Sequence, residues 1–498
     1  MLALLLEETG VRPAACLDVG VSEGPRMLAN LATLHAVDPF SIAVVCLPPE
    51  DEVAGLKVRS LLRSLKIVER AIPTFAELIE APAPRRAISG DVDLVELIGR
   101  TPYGIDRRAV GRILSGKRVL ITGAGGSIGS ELCRIVATFH PEQLIMMERS
   151  ENALFEIDRQ MARRFPEVPR RALLHDVVDA EQTLRHLVAL KPHAIFHAAA
   201  HKHVPLMEDH PSHAVTNNLF GTKSIADAAL ATGAERFVMI SSDKAVNPTS
   251  VMGATKRLAE MYVQNLGATA RPRAVPGGHE AKPSRTAQTS FSMVRFGNVL
   301  GSACSVLPIW SSQLAEGGPI TVTDPRMTRY FMTINEAATL VIQAGAIDAR
   351  AGETPSIFVL DMGEPIKIAE LAQRFVRLNG FEPKCGSEAE RRCESGGGPG
   401  GAVPTNGIEI VFTGARPGEK IHEELAYAAE ALMPTPYPGI MGLAGSVHAD
   451  FDVASMVADF SALRTTTNRD AVLEAIRRHV PEMTGQRANA RKPRTKAA

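Results

Sequence analysis

An α/β fold built on a doubly wound parallel sheet is what this sequence predicts, on three observations. Apolar runs of strand length alternate with helical segments from about residue 117 onward: RVLIT, LIMME, RALLHD, AIFHAAA, RFVMISS and FSMVRFGNV. Such alternation makes neighbouring strands parallel and sets helices on both faces of the sheet. The first run leads into GAGGSIGSEL, where Gly123, Gly126 and Gly129 form G-x-x-G-x-x-G ahead of a helix. The next run ends on an acid, Glu148. Strand, glycine turn, helix and acid in that order predict the Rossmann-type form of this fold. The glycines permit a tight turn and let backbone N–H groups at a helix N-terminus approach a pyrophosphate.

The remaining elements follow in order. In residues 1–100, FSIAVVCLPP reads as a buried strand, DEVAGLKVRSLLRSL as its helix, and KIVERAIPTFAELI as a second strand and helix. This is a small α/β module of nucleotide-fold type. GDVDLVELIGRTPYGIDRR joins it to the main unit, residues 101–430, which holds the dinucleotide fold and a smaller substrate-binding half. Two Gly-, Pro- and Ser-rich stretches, near 267–290 and 384–405, read as surface insertions. Residues 431–498 are expected to be irregular chain, a helix or two, and the basic tail QRANARKPRTKAA.

Composition narrows the function classes. The 498 residues suffice for a large core. Basic and acidic residues balance at 55 each, so no net field draws nucleic acid or a membrane surface. No apolar run approaches the roughly 18–20 residues of a membrane span, and MLALLLEETG turns acidic too soon for a secretory signal. The six cysteines have no paired spacing, and Cys46 and Cys133 sit in apolar segments as small core residues. A reducing cytosol fits, either free or at the inner face of a membrane. No His/Cys cluster has metal-ligand spacing.

The expected cofactor is NAD or NADP. Glu148 is placed to accept hydrogen bonds from ribose hydroxyls, which favours NAD, while the adjacent Arg149 suits a 2′-phosphate, which favours NADP. Asp176, ending RALLHD, either meets the adenine amine or caps a helix. Ser127 and Ile128 in the turn, Ser150 after Arg149, and Ala198 and Ala199 after the AIFH strand complete the expected shell.

A wider set of motifs runs in order between about residues 117 and 425: LITGAGGSIGSEL, RSEN, FHAAAHKHVPLMEDHP, NNLFGT, SSDKAVNPTSVMGATK, VRFGNVLGS, TDPRMTRYFMT and TGARPGEKIHEEL. Together they resemble the extended short-chain dehydrogenase/reductase family, and within it the polysaccharide-biosynthesis (CapD-like) nucleotide-sugar 4,6-dehydratases. The resemblance implies conversion of UDP-N-acetylglucosamine to a UDP-4-keto-6-deoxy sugar for surface polysaccharide. It implies a tightly held cofactor, regenerated each cycle because net redox is zero. It also implies a homo-oligomer formed through the helices beside the active-site lysine. The amino-terminal module looks like the one preceding the catalytic domain in long membrane-anchored members, whose transmembrane helices have no counterpart in this sequence.

Two departures stand out. Ala303 and Cys304 occupy places where the family pattern has an arginine and a glycine. Met252 stands four residues before Lys256, where short-chain dehydrogenases carry a proton-moving tyrosine. That spacing shares a helix face, but a thioether has no proton to move. Long family members also carry methionine there.

In the implied reaction, carbon 4 loses a hydride and its hydroxyl proton, the carbon 5 proton leaves with the carbon 6 hydroxyl, and the hydride returns at carbon 6. By family position, Asp243 is the acid for the departing hydroxyl, Lys244 the base at carbon 5, Ser242 a hydrogen-bond partner of the carbon 4 oxygen, and Lys256 the ribose ligand. Adjacent residues on a strand face opposite ways, so the pair requires a turn where the strand ends. In water an acid beside a neutral lysine lies about 6.5 pKa units, roughly 9 kcal/mol, above the ion pair; drying the site lowers that gap. Water, Asp243 and Lys244 all stand as acceptors of the carbon 4 hydroxyl proton. Met252 packs against the ligands or in the core. Asn298, Arg329, Arg416 and Glu419 are the expected nucleotide contacts, each with a surface ion pair as its plainer reading, and Lys202 and His203 the expected sugar-pocket residues. An epimerase, a dehydratase inverting carbon 5, and a catalytically silent NAD(P)-binding sensor or scaffold are the competing functions.

Overall fold

The structure, a computed structural model, describes residues 42–45, 68–71, 97–270, 289–349, 356–385, 407–427, 430–444 and 451–483. Contacts divide the chain into two units, Met1–Ser89 and Gly90–Ala498. In the first, β1 (Ile42–Val45) pairs in parallel with β2 (Val68–Ala71), the two strands expected from FSIAVVCLPP and KIVERAI. The helices expected there, Cys46, the interior of both insertions and the basic tail lie outside the described residues.

In the second unit, runs that are apolar at consecutive positions need cover on both faces, and they receive it. β3 (Arg118–Thr122), β4 (Gln143–Glu148), β5 (Arg170–Leu174), β6 (Ala194–His197), β7 (Arg236–Ile240) and β8 (Ser290–Arg295) are mutually parallel. Interior positions of β3, β4, β6 and β7, and all of β8, are buried. One apolar cluster lies on each side of the sheet: Leu120, Ile195 and Phe237 join one, Val119, Phe196 and Val238 the other.

The expected strand FSMVRFGNV divides. After Arg295 the chain leaves the main sheet, and β9 (Asn298–Leu300) pairs instead with β12 (Phe331–Thr333). β10 (Ile320–Val322) forms a three-stranded sheet with β15 (Glu382–Cys385) and β16 (Gly407–Phe412), and β11 (Thr328–Arg329) pairs with β14 (Ile366–Lys367). The main sheet continues with β13 (Ile357–Leu360), then with β17 (Ala431–Pro434) and β18 (Ile440–Ala444), which are antiparallel. Residues 431–444, expected to be irregular extension, therefore form its edge. Strand order is β17-β18-β13-β8-β7-β6-β3-β4-β5. It reverses direction between β3 and β6, where open α/β sheets leave a ligand crevice at their carboxyl ends.

The helix Val251–Ala270, which carries Lys256, is buried at every position from 251 to 264. Two C-terminal helices, Val453–Leu463 and Arg469–His479, contribute Met456, Phe460, Val472 and Ile476 to the same cluster as its Leu258, Ala259 and Tyr262. Its polar side carries a buried ion network. Glu260 accepts from Arg295 Nε at 2.7 Å and Nη2 at 2.8 Å, from Arg257 Nη1 at 3.1 Å, and from Ser241 Oγ at 2.7 Å. Burial alone would raise the Glu260 pKa, but the two guanidiniums and the serine outweigh it and bring it to about 2. Removing one member of a buried pair leaves an uncompensated charge, at a cost of about 3–5 kcal/mol. Arg295→Met is thus expected to lower folding stability by about that amount, read as a fall in urea midpoint with unchanged slope.

Candidate active site

At the switch between β3 and β6 the glycine turn forms one wall of a cleft of about 200 Å³. Gly123 has φ +65°, and a Cβ there would lie 2.8–2.9 Å from the Ala198 and Ala199 backbone. A Cβ on Gly129 would strike Gly123 O at 2.0 Å, so the helix Ser127–Ala137 presses on the turn only as glycine. Gly126 is that helix's N-cap. Glu148, Arg149, Asp176, Ala198 and Ala199 line the cleft with His201 and Asn217. Glu148 accepts from the Gly125, Arg149 and Ser150 N–H groups. Arg149 Nη1 donates to Asn217 at 3.2 Å and lies 3.8 Å from Asp176. The cap of the helix after β5 is Asp179, not Asp176, whose carboxylate instead accepts from Val178 N.

Three expected shell residues have structural contacts. Ser150 caps the helix Glu151–Arg164, Ile128 packs on the apolar core, and Ser127 Oγ accepts from Ala303 N at 2.9 Å. Cys304 follows with φ +56°, the conformation that a glycine would take without strain. Beneath the cleft, His197 sits between the hydroxyls of Thr122 (2.8 Å) and Thr222 (3.0 Å). Burial and then Lys256 bring its pKa down to about 3, so it is a neutral pin.

The turn that an adjacent acid–base pair requires is present. β7 ends and residues Asp243–Ala245 form a single 3-10 turn capped by Ser242 Oγ, which accepts from Lys244 N. Lys244 Nζ then reaches Asp243 Oδ1 at 2.9 Å and Asn298 Oδ1 at 3.1 Å, and Ser242 Oγ donates to the same Oδ1 at 2.9 Å. Asp243 is wholly buried, and its Oδ2 has no partner. Burial would lower the Lys244 pKa, but Asp243 and Glu423 overcome this and hold it above its usual value. The lysine helix packs directly on this turn, because a Cβ at Gly253 would meet Lys244 O at 2.1 Å. Of the two readings of Met252, the structure gives the core one: it is 2 % exposed, belongs to the apolar cluster and lines neither cleft.

A second cleft, of about 160 Å³, is lined by Lys244, Asn298, Arg329, Glu419, Lys420 and Glu423 among others. Arg329 donates to the carbonyls of Thr328, Lys420 and Ile421, which fixes it to the TGARPGEKIHEEL segment. Arg416 does not line this cleft. It lies on an exposed stretch, and its N–H donates to Glu419. Lys202 and His203 also fall outside its lining: Lys202 Nζ donates to Ala303 O, and His203 opens the helix Val204–Asp209. The residue that sequence reasoning passed over is Glu423. It lies in the same GEKIHEEL segment as Glu419.

Fold and site define a protein of the extended short-chain dehydrogenase/reductase type. The chain belongs to the polysaccharide biosynthesis protein family, whose model matches residues 119–444. It is 42 % identical over 409 residues (82 % of this chain, 61 % of the relative) to the "Probable polysaccharide biosynthesis protein EpsC" of Bacillus subtilis. It is 31 % identical over 233 residues (46 % of this chain, 64 % of the relative) to a Campylobacter jejuni "UDP-N-acetylglucosamine 4,6-dehydratase (inverting)". It therefore spans less than two thirds of either relative. The crystal structure of Pen from Bacillus thuringiensis is similar with TM-score 0.54 and 29 % identity, covering 68 % of this chain and 90 % of that one.

Lys256 Nζ donates to Ile240 O at 2.8 Å. Burial, against the opposing pull of Glu260, lowers its pKa from 10.5 to about 8. A depressed lysine pKa penalises folding of the charged form: fully below about pH 8, and not at all above the unfolded value of 10.5. The shift corresponds to roughly 3 kcal/mol, and an orphaned Ile240 carbonyl offsets about 1 kcal/mol of it or more. Lys256→Met is expected to stabilise the cofactor-free chain by about 1–2 kcal/mol at neutral pH. That advantage should shrink as pH rises toward 10.5, measured by urea midpoints at two pH values.

Proposed function

We propose that this chain is a nucleotide-sugar 4,6-dehydratase that converts UDP-N-acetylglucosamine to a UDP-4-keto-6-deoxy sugar for surface polysaccharide. The observation that carries the reading is the turn after β7, which brings an acid and an amine within 2.9 Å of each other beside a cleft walled by Asn298 and Arg329. The Campylobacter relative's name supports the substrate class.

The first cleft fits NAD or NADP, because its glycine cradle is one that a Cβ would fill. Gly123 and Gly126 would hold the pyrophosphate, Glu148, Arg149 and Asp176 the adenosine end, and Lys256 a ribose. The bound dinucleotide supplies the hydride acceptor and donor. The protons fall to the chain: Lys244 passes its proton to Asp243, takes the carbon 5 proton, and Asp243 protonates the departing carbon 6 hydroxyl. Since Asp243 is wholly buried, sugar binding must open the turn to it. Ser242 hydrogen-bonds the carbon 4 oxygen. Asn298, Arg329 and Glu419 are the nucleotide contacts that line the second cleft; Arg416, Lys202 and His203 would join them only by moving.

The test is incubation with NAD or NADP and UDP-N-acetylglucosamine in heavy water. A dehydratase yields a product lighter by water with deuterium at carbon 5, and NMR separates retention from inversion there. A product of unchanged mass makes the chain an epimerase; an untouched sugar nucleotide returns it to a silent binding protein.

A further inference from the structure

Replacement of the tyrosine by Met252, which lies in the core, leaves the carbon 4 hydroxyl proton in need of an acceptor. Asp243 is committed to the proton of Lys244, and Lys244 enters the reaction as an ammonium. Two further carboxylates line the cleft, Glu419 and Glu423; Glu419 already accepts from the Arg416 N–H at 3.0 Å. Glu423 Oε1 lies 3.9 Å from Lys244 Nζ and 3.9 Å from Arg329 Nε, with its side chain 3 % exposed. Its Oε2 is buried and makes no hydrogen bond. Glu423 lines the same cleft as Lys244 and Asn298, whereas Asp243 does not.

We propose, resting on the dehydratase reading, that Glu423 accepts the carbon 4 hydroxyl proton and later restores the proton of Lys244. The proton count closes. As carbon 4 is oxidised, its hydroxyl proton passes to Glu423, giving a neutral carboxyl. Lys244 gives its proton to Asp243 and becomes a free amine. The amine takes the carbon 5 proton while Asp243 protonates the carbon 6 hydroxyl, which leaves as water. Lys244 returns a proton to carbon 5 as hydride is delivered to carbon 6, and Glu423 then recharges Lys244. Every side chain ends as it began, and the sugar has lost one water.

The surroundings suit this task. Burial, and the Asp243 charge, hold the Glu423 pKa above the ordinary glutamate range, while Lys244, Arg329 and Lys420 pull the other way. A carboxylate so placed accepts a proton more readily than one in water. It also faces the ammonium it must refill, at a distance that a small side-chain rotation closes.

Glu423→Gln keeps the shape but cannot take the proton. With NAD or NADP and UDP-N-acetylglucosamine, its kcat is expected to fall about a hundredfold or more. Substrate Kd, by calorimetry, should stay within about twofold of wild type. The acid limb of the wild-type pH–rate profile should disappear in the variant, and Glu423→Asp should recover part of the rate. A merely structural role would lower binding and rate together and leave the limb in place, which overturns the proposal, as does a Gln variant of wild-type kcat. A wild-type chain that dehydrates while Glu423→Gln matches it removes Glu423 alone. A wild-type chain that leaves the sugar intact removes the dehydratase reading and this inference with it.

Discussion

Glu260 is the buried carboxylate on which the geometry of the site depends. It lies one helical turn beyond Lys256, so both project from one side of the same helix. From there it holds Arg295 at the end of β8 and Ser241 just past β7, the residue that precedes Ser242, Asp243 and Lys244. Arg295 also grips Glu430, and Arg257 lies 3.4 Å from Glu482, so distant segments of chain close over the same network. Buried charges have no water to exchange with, and any shift of helix against strand leaves one unpaired. The lysine helix and the strand ends that lead into the Asp243–Ala245 turn are therefore tied to one another.

This explains why the turn can afford its unusual contents. An ion pair held by adjacent residues needs the backbone to reverse within one step, and the 3-10 turn is kept tight from below by Gly253 pressed on Lys244 O. A larger residue at 253 would lift the helix off the turn and carry Lys256 with it. Met252 fills the apolar side of the same contact. Where a tyrosine would bring a polar group that must find a partner, the thioether asks for none; in the proposed reaction the protons are handled by the carboxylates and amine around the second cleft.

Much of the architecture was legible in the sequence because it rests on local signals. The glycine turn and the alternation of strands and helices follow from neighbours within a few residues, and the need for a turn at Asp243 and Lys244 follows from the roles that the family resemblance implies for the pair. What escaped depends on long-range meetings. Arg295, Glu260 and Glu430 lie in separate segments, and nothing in any one of them marks a buried network. β17 is a short, exposed edge strand and β18 carries a central glycine, so their composition carries little strand signal. FSMVRFGNV looks continuous because apolar residues recur along its whole length, and its departure from the main sheet becomes visible only when β12 is found beside β9. Glu423 was passed over for Glu419 because the two share one motif, and only burial separates them: Glu419 accepts from a neighbouring backbone N–H, whereas Glu423 meets Lys244 and Arg329 from across the cleft.

The C-terminal helices bear on how copies of the chain can meet. The family resemblance implies assembly through the helices beside the active-site lysine, which requires an apolar face left open in one copy. Here that face is taken. Met456, Phe460, Val472, Leu473 and Ile476 pack into the cluster that holds Leu258 and Tyr262, and residues 251–264 are all buried within a single chain. Pairing through this surface would first have to peel the C-terminal helices away and expose several large side chains, each of which favours burial by about 1.5–3 kcal/mol. A second copy would gain only what the chain's own helices already provide. An assembly that left these helices in place would use another surface, and one that exchanged them between copies would give each lysine helix the same cover.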